Sequence, residues 1–132
     1  MSLEESLGRQ VSQKELPPDL IEVGATSLRI SSRSDGPQRV VVLEGELDLS
    51  TAPLLLEHLT ALLTNTMPEL LLDLSALSFL DSTGISVLIA AHRRLAGQGG
   101  RMVLLSPTPL TQRVLEIAGL TTIFSIVPAS GV

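Results

Sequence analysis

The sequence predicts an α/β fold: a single domain with a mostly parallel mixed β-sheet and an N-terminal antiparallel hairpin, packed against helices. Three observations carry this. Short apolar runs alternate with longer segments whose leucines recur at helical spacing, the order expected of crossover units. A Ser34-Asp35-Gly36-Pro37 turn signal joins the first two strand-like runs. The second of those runs contains Val40-Val41-Val42, a continuous apolar stretch that demands burial on both faces and an interior place in the sheet. A length of 132 residues with 44% hydrophobic content suits one domain with one core, expected over residues 25–127. Residues 1–24, which include Pro17-Pro18, are expected to form a flexible or loosely docked tail, and residues 128–132 a short C-terminal one.

The elements follow in order. Leu28 and Ile30 alternate with Arg29 and Ser31 in a strand over 27–33, and Arg39 to Leu43 is its hairpin partner. Ser50-Thr51-Ala52-Pro53 is a helix start, a hydroxyl cap followed by proline, and Leu55, Leu56, Leu59, Leu62 and Leu63 make the apolar face. After Met67-Pro68 comes a buried strand, Glu69 to Leu74, and then a short connection to Asp81-Ser82-Thr83-Gly84. The next helix buries Ile85, Leu88, Ile89 and Leu95 and ends at a Gly97 cap. Arg101 to Leu105 is a strand. Pro107-Thr108-Pro109 opens a third helix with Leu110, Val114, Ile117 and Ala118 inward, closed by Gly119, and Ile123 to Val127 is the last strand.

Composition removes several classes of function. With no cysteine, disulfides, thiolate zinc sites and thiol catalysis are excluded. A net charge of −5 and only two aromatic residues, Phe79 and Phe124, argue against a nucleic-acid partner. No apolar run approaches the roughly 20 residues of a membrane span, and the N-terminus lacks a secretory pattern, so the expected location is cytoplasmic, away from membranes. His58 and His92 fall on different helices with no carboxylate at ligand spacing and are expected to be surface residues, so neither a metal nor a cofactor is expected.

Enzyme chemistry finds no purchase at Ser82. His92 lies ten residues along the same helix, about 15 Å away at 1.5 Å per residue, and no G-x-S-x-G elbow surrounds the serine. Gly97-Gln98-Gly99-Gly100 follows a helix rather than a strand, the reverse of a phosphate loop. Two acidic, hydroxyl-rich segments remain, Asp48 to Thr51 and Asp81 to Thr83. Both follow the C-terminal ends of strands, the edge of an open α/β sheet where partners bind. Each also suits plain helix capping, and Ser82 itself is a favoured cap residue.

The runs Glu44-Gly45-Glu46-Leu47-Asp48 with Thr51-Ala52, Asp73-Leu74 through Phe79-Leu80-Asp81-Ser82-Thr83-Gly84, and Gly119-Leu120 resemble the STAS domain of bacterial anti-sigma factor antagonists. The resemblance covers residues 25–127. It implies a non-enzymatic phosphoprotein in transcription regulation that binds an anti-sigma factor, itself a serine kinase, and thereby frees the sigma factor. It further implies that phosphorylation of Ser82, with Thr83 a minor candidate, switches binding off, and that a protein phosphatase restores it. Asp48, Ser50, Thr51, Asp81, Ser82, Thr83, Gly84 and Ile85 are the partner-binding residues so implied. STAS domains also serve lipid-transport ABC complexes and stress-signalling assemblies, and those are the alternative roles.

Overall fold

The computed structural model describes residues 21–24 and 27–129. Their apolar runs form one six-stranded sheet in sequential order: β1 (Ile21–Gly24), β2 (Leu28–Asp35), β3 (Gln38–Leu47), β4 (Glu69–Leu80), β5 (Arg101–Leu105) and β6 (Ser125–Val127). The pairs β1–β2 and β2–β3 are antiparallel; β3–β4, β4–β5 and β5–β6 are parallel. Helices α1 (Ala52–Leu62), α2 (Ser82–Gly97) and α3 (Pro109–Ile117) make the three crossovers. The mixed sheet and the hairpin at Gly36 are those the sequence predicts, and β3 is interior, with Val41 fully buried.

The differences are instructive. Ile21–Gly24, expected in the tail, forms the edge strand β1 in register with Gly24↔Arg29. The rest of the expected N-terminal tail, residues 1–20, and residues 130–132 lie outside the described residues. In place of a short connection after Leu74, β4 continues to Leu80, because β3 also runs on and supplies a ladder as far as Leu47↔Leu80. Two register shifts against β3, at Val42/Glu44 and Gly45/Glu46, each place an extra residue in β4 and so change its burial period. Buried residues alternate at Leu70, Leu72 and Leu74 and then recur every third position at Leu77 and Leu80. Such a pattern reads as neither strand nor helix in a sequence.

That extension outruns β5, whose pairing with β4 ends at Asp73↔Leu105, and would leave edge carbonyls open. Helix α3 closes the gap. Thr108 caps it through a bond from the Thr111 amide, and the Thr108 and Thr111 hydroxyls both donate to the Leu77 carbonyl at 3.3 Å. This anchoring turns the helix so that Thr111 and Leu115 are buried. Leu110 and Ile117, expected inward, are 57% and 78% exposed, and Ala118 is exposed as well. Leu56 on α1 is likewise exposed, because Ala52, Leu55, Leu59 and Leu62 form the face that meets the sheet.

Smaller corrections concern caps and histidines. Helix α2 runs through Gly97 to a Gln98 cap, and the left-handed residue is Gly99 at φ 81°. Both histidines are half-buried rather than on the surface. His58 Nε2 lies 3.1 Å from the Ser32 hydroxyl, and His92 meets Phe124 edge-on at 5.4 Å. Desolvation first, and then the Arg39 charge, hold His58 below the usual histidine pKa.

Gly45 is the one β3 residue that only glycine suits. Its φ is 110°, and a Cβ there would meet the Ser27 carbonyl oxygen at 2.1 Å, beside the 2.7 Å bond from the Glu46 amide to that same oxygen. Gly45→Ala is predicted to destabilise the domain by about 2 kcal/mol or more. Urea unfolding measures it: the midpoint falls with an unchanged slope, and a midpoint equal to wild type contradicts this account of the close approach to Ser27.

Candidate functional site

The two acidic segments meet because β3 and β4 end side by side. Leu47 pairs with Leu80, and the Asp81 amide donates to the Leu47 carbonyl at 3.2 Å. Asp48 and Asp81 are therefore the first residues off two neighbouring parallel strands, at the C-terminal edge of the sheet.

Each aspartate organises its own loop. Asp48 Oδ1 accepts from the Ser50 amide at 3.0 Å, the Ser50 hydroxyl at 2.8 Å, the Thr51 amide at 3.1 Å and the Thr51 hydroxyl at 3.2 Å. The Ser50 hydroxyl contributes most to holding the Asp48 carboxyl below its ordinary 3.8, with backbone and Thr51 bonds adding to it against some desolvation. Thr51 is only 2% exposed, and its hydroxyl donates to the Glu46 carbonyl and accepts from the Asp48 amide. That corrects two expectations: Thr51 makes no side-chain cap to α1, and it offers no surface to a partner. Its role is to hold the loop.

At the second loop, Asp81 is the N-cap of α2. Its Oδ1 accepts from the Thr83 amide at 2.9 Å and the Gly84 amide at 3.1 Å. Ser82, the residue for which capping competed with a functional reading, is the first residue of the helix. It is exposed, and its hydroxyl bonds to no described residue; only its carbonyl is used, accepting from Ser86 Oγ at 3.0 Å. Thr83 is half-buried, and Gly84 is buried. A Cβ on Gly84 would lie 2.7–2.9 Å from Leu47 and Leu80 side-chain atoms, so glycine lets the helix start sit directly on the seam. Ile85 is half-buried against the core.

The site surface thus comprises Asp48, Ser50, Asp81, Ser82, Thr83 and part of Ile85, with Thr51 and Gly84 as supports beneath it. Two residues were missed in the sequence. Leu49, between Asp48 and Ser50, is 74% exposed, and Phe79, two residues before Asp81, is 44% exposed rather than a core aromatic. Leu49 lies next to Asp48 in the first loop, and Phe79 stands on the sheet face opposite core Leu80. Neither is distinguishable from a core residue by type alone. Among the described residues no group of three or more histidines or carboxylates is placed to hold a metal. No helix among them is long and apolar enough to cross a membrane.

Similarity to known proteins points one way. The family model of the STAS domain matches residues 29–131. An anti-sigma F factor antagonist of Lysinibacillus sphaericus is 32% identical over 82 residues, covering 61% of this chain and 70% of that protein. The crystal structure of an anti-sigma factor antagonist from Mycobacterium paratuberculosis superposes with a TM-score of 0.73 at 30% identity, over 82% of this chain and 92% of that one. SpoIIAA, an anti-sigma factor antagonist solved in its unphosphorylated form, gives 0.66 at 25% identity, over 77% and 89%.

Two predictions follow from this geometry. Asp81→Ala is expected to lower stability by about 0.5–2 kcal/mol, because two helix amides lose their acceptor, whereas Ser82→Ala stays within about 0.5 kcal/mol. Thermal unfolding of the two variants separates them; equal losses would return Ser82 to a structural role. For Asp48, a depressed folded-state pKa means the loop's stabilisation is present above the ordinary value and is lost as pH falls through the folded one. The Ser50 and Thr51 amide resonances should therefore titrate together with a midpoint below 3.8, and a midpoint at or above 3.8 contradicts the bonding described.

Proposed function

The chain belongs to the STAS domain family, and from that membership we propose that it is an anti-sigma factor antagonist whose partner binding is switched off by phosphorylation of Ser82. The observation that carries the switch is the division of labour at α2: Asp81 satisfies the helix start, and the Ser82 hydroxyl is left exposed and unengaged. A kinase can reach such a hydroxyl without opening the fold. The names of the relatives favour this reading over a transporter subunit. The partner is an anti-sigma factor that doubles as the serine kinase, and a phosphatase resets the switch.

A phosphate adds about −1.5 to −2 charge at neutral pH. On the first residue of a helix it meets a favourable dipole, so the free domain tolerates it. The surface around it is already acidic, with Asp81 adjacent and Asp48 on the neighbouring loop. Binding is then lost at the interface, where bulk and unpaired charge replace a small hydroxyl.

Incubation with the cognate kinase and ATP tests the assignment. Wild type should incorporate phosphate, with tandem mass spectrometry placing it on Ser82 rather than Thr83, and Ser82→Ala should not. Ser82→Asp should weaken binding to the anti-sigma factor about 10- to 100-fold, a loss of roughly 1.4–2.8 kcal/mol, with its melting temperature retained. Equal phosphate incorporation into the alanine variant, or binding of the aspartate variant within twofold of wild type, overturns the proposal.

A further inference from the structure

Helix α3 turns its less apolar side to the sheet. At about 100° per residue, Leu110, Val114 and Ile117 fall within roughly 60° of one another and make a two-turn stripe. The buried side is the next one round, with Thr111 and Leu115, held there by the Thr108 and Thr111 hydroxyls on the Leu77 carbonyl. Leu110 and Ile117 are left exposed and Val114 only half-buried. Single apolar residues on a surface are ordinary, but three aligned on one helix mark a contact surface. The charges beside the stripe narrow what it meets. Arg113 and Glu116 are both exposed, and both stand on the flank away from Thr111 and Leu115. Glu116 accepts from Gln112 Nε2 at 3.2 Å, and Arg113 makes no ion pair with a described residue.

We infer that this face is a homodimer contact, in which α3 packs antiparallel against α3 of a second copy. A two-fold axis crossing the helices beside Val114 sets Val114 against its own copy, and Leu110 against Ile117 of the second chain. The same axis keeps corresponding flanks on one side of the pair. It therefore brings Arg113 beside Glu116 of the second copy, and Glu116 beside that copy's Arg113. One rotation thus covers the apolar stripe and pairs both charges. A partner of unrelated sequence would have to provide an acid and a base at the matching heights, whereas a second copy provides both by symmetry. The helix has nine residues and is about 14 Å long, so the contact is small and the dimer weak and reversible. The inference is independent of the Ser82 assignment, which concerns the start of α2.

Sedimentation velocity of the full chain, from about 10 μM to about 1 mM, tests it over the range expected of a weak dimer. Wild type should pass from monomer towards dimer as concentration rises. Arg113→Glu and Glu116→Arg should each stay monomeric, because each sets like charges across the two-fold axis. An equal mixture of the two variants should dimerise again at concentrations where neither does alone, since every facing pair is then opposite in sign. Recovery in the mixture also separates loss of the contact from loss of the fold. Wild type monomeric throughout, single variants that dimerise as wild type does, or a mixture that fails to recover the dimer each overturns the inference; the first would leave the stripe to a partner of different sequence.

Discussion

The last bond of the β3–β4 seam, from the Asp81 amide to the Leu47 carbonyl at 3.2 Å, fixes where both loops of the candidate site begin. Everything at the site depends on that seam reaching its end in register. Gly45 lets β3 pass against Ser27 at the register shift where β4 gains a residue, and Gly84 permits α2 to start in contact with Leu47 and Leu80. With the two strand ends locked together, Asp48 and Asp81 leave the sheet as neighbours. The threonines of α3 belong to the same constraint, since they satisfy the β4 edge that the extension opens.

Within that frame, the residues that hold the loops differ from the one proposed to carry the signal. Asp81 and Thr51 hold loops, and their polar atoms are engaged. Ser82 and Leu49 stand outside those networks, so a modification or a partner acting on them meets little resistance from the fold. A switch of this kind acts on the surface and leaves the core unchanged.

How much of this was legible in the sequence depends on whether local or tertiary forces decide each residue. The strands at 28–35 and 101–105 and the three helices follow local periodicity. The seam residues 75–80 do not, because Ser75, Ala76 and Ser78 look like loop and become strand only through a bulged pairing with β3. The rotation of α3 was hidden for a similar reason: Leu110, Val114 and Ile117 form the better apolar stripe, but Thr111 satisfies a carbonyl thirty-four residues away. At the site, the residue types Asp-Ser-Thr-Gly were visible, while the choice of Asp81 over Ser82 as cap was not. Both are good caps by type, and only the backbone path decides which stands one residue ahead of the helix.

Amide hydrogen exchange at Thr83, Gly84 and Ile85, compared between the unphosphorylated chain and the chain phosphorylated on Ser82, tests the central claim most directly. If Asp81 carries the helix start and Ser82 only faces outward, protection at the three amides persists after phosphorylation while anti-sigma factor binding is lost. Loss of protection along the first turn of α2, in step with loss of binding, would contradict the account and make the switch a local unfolding.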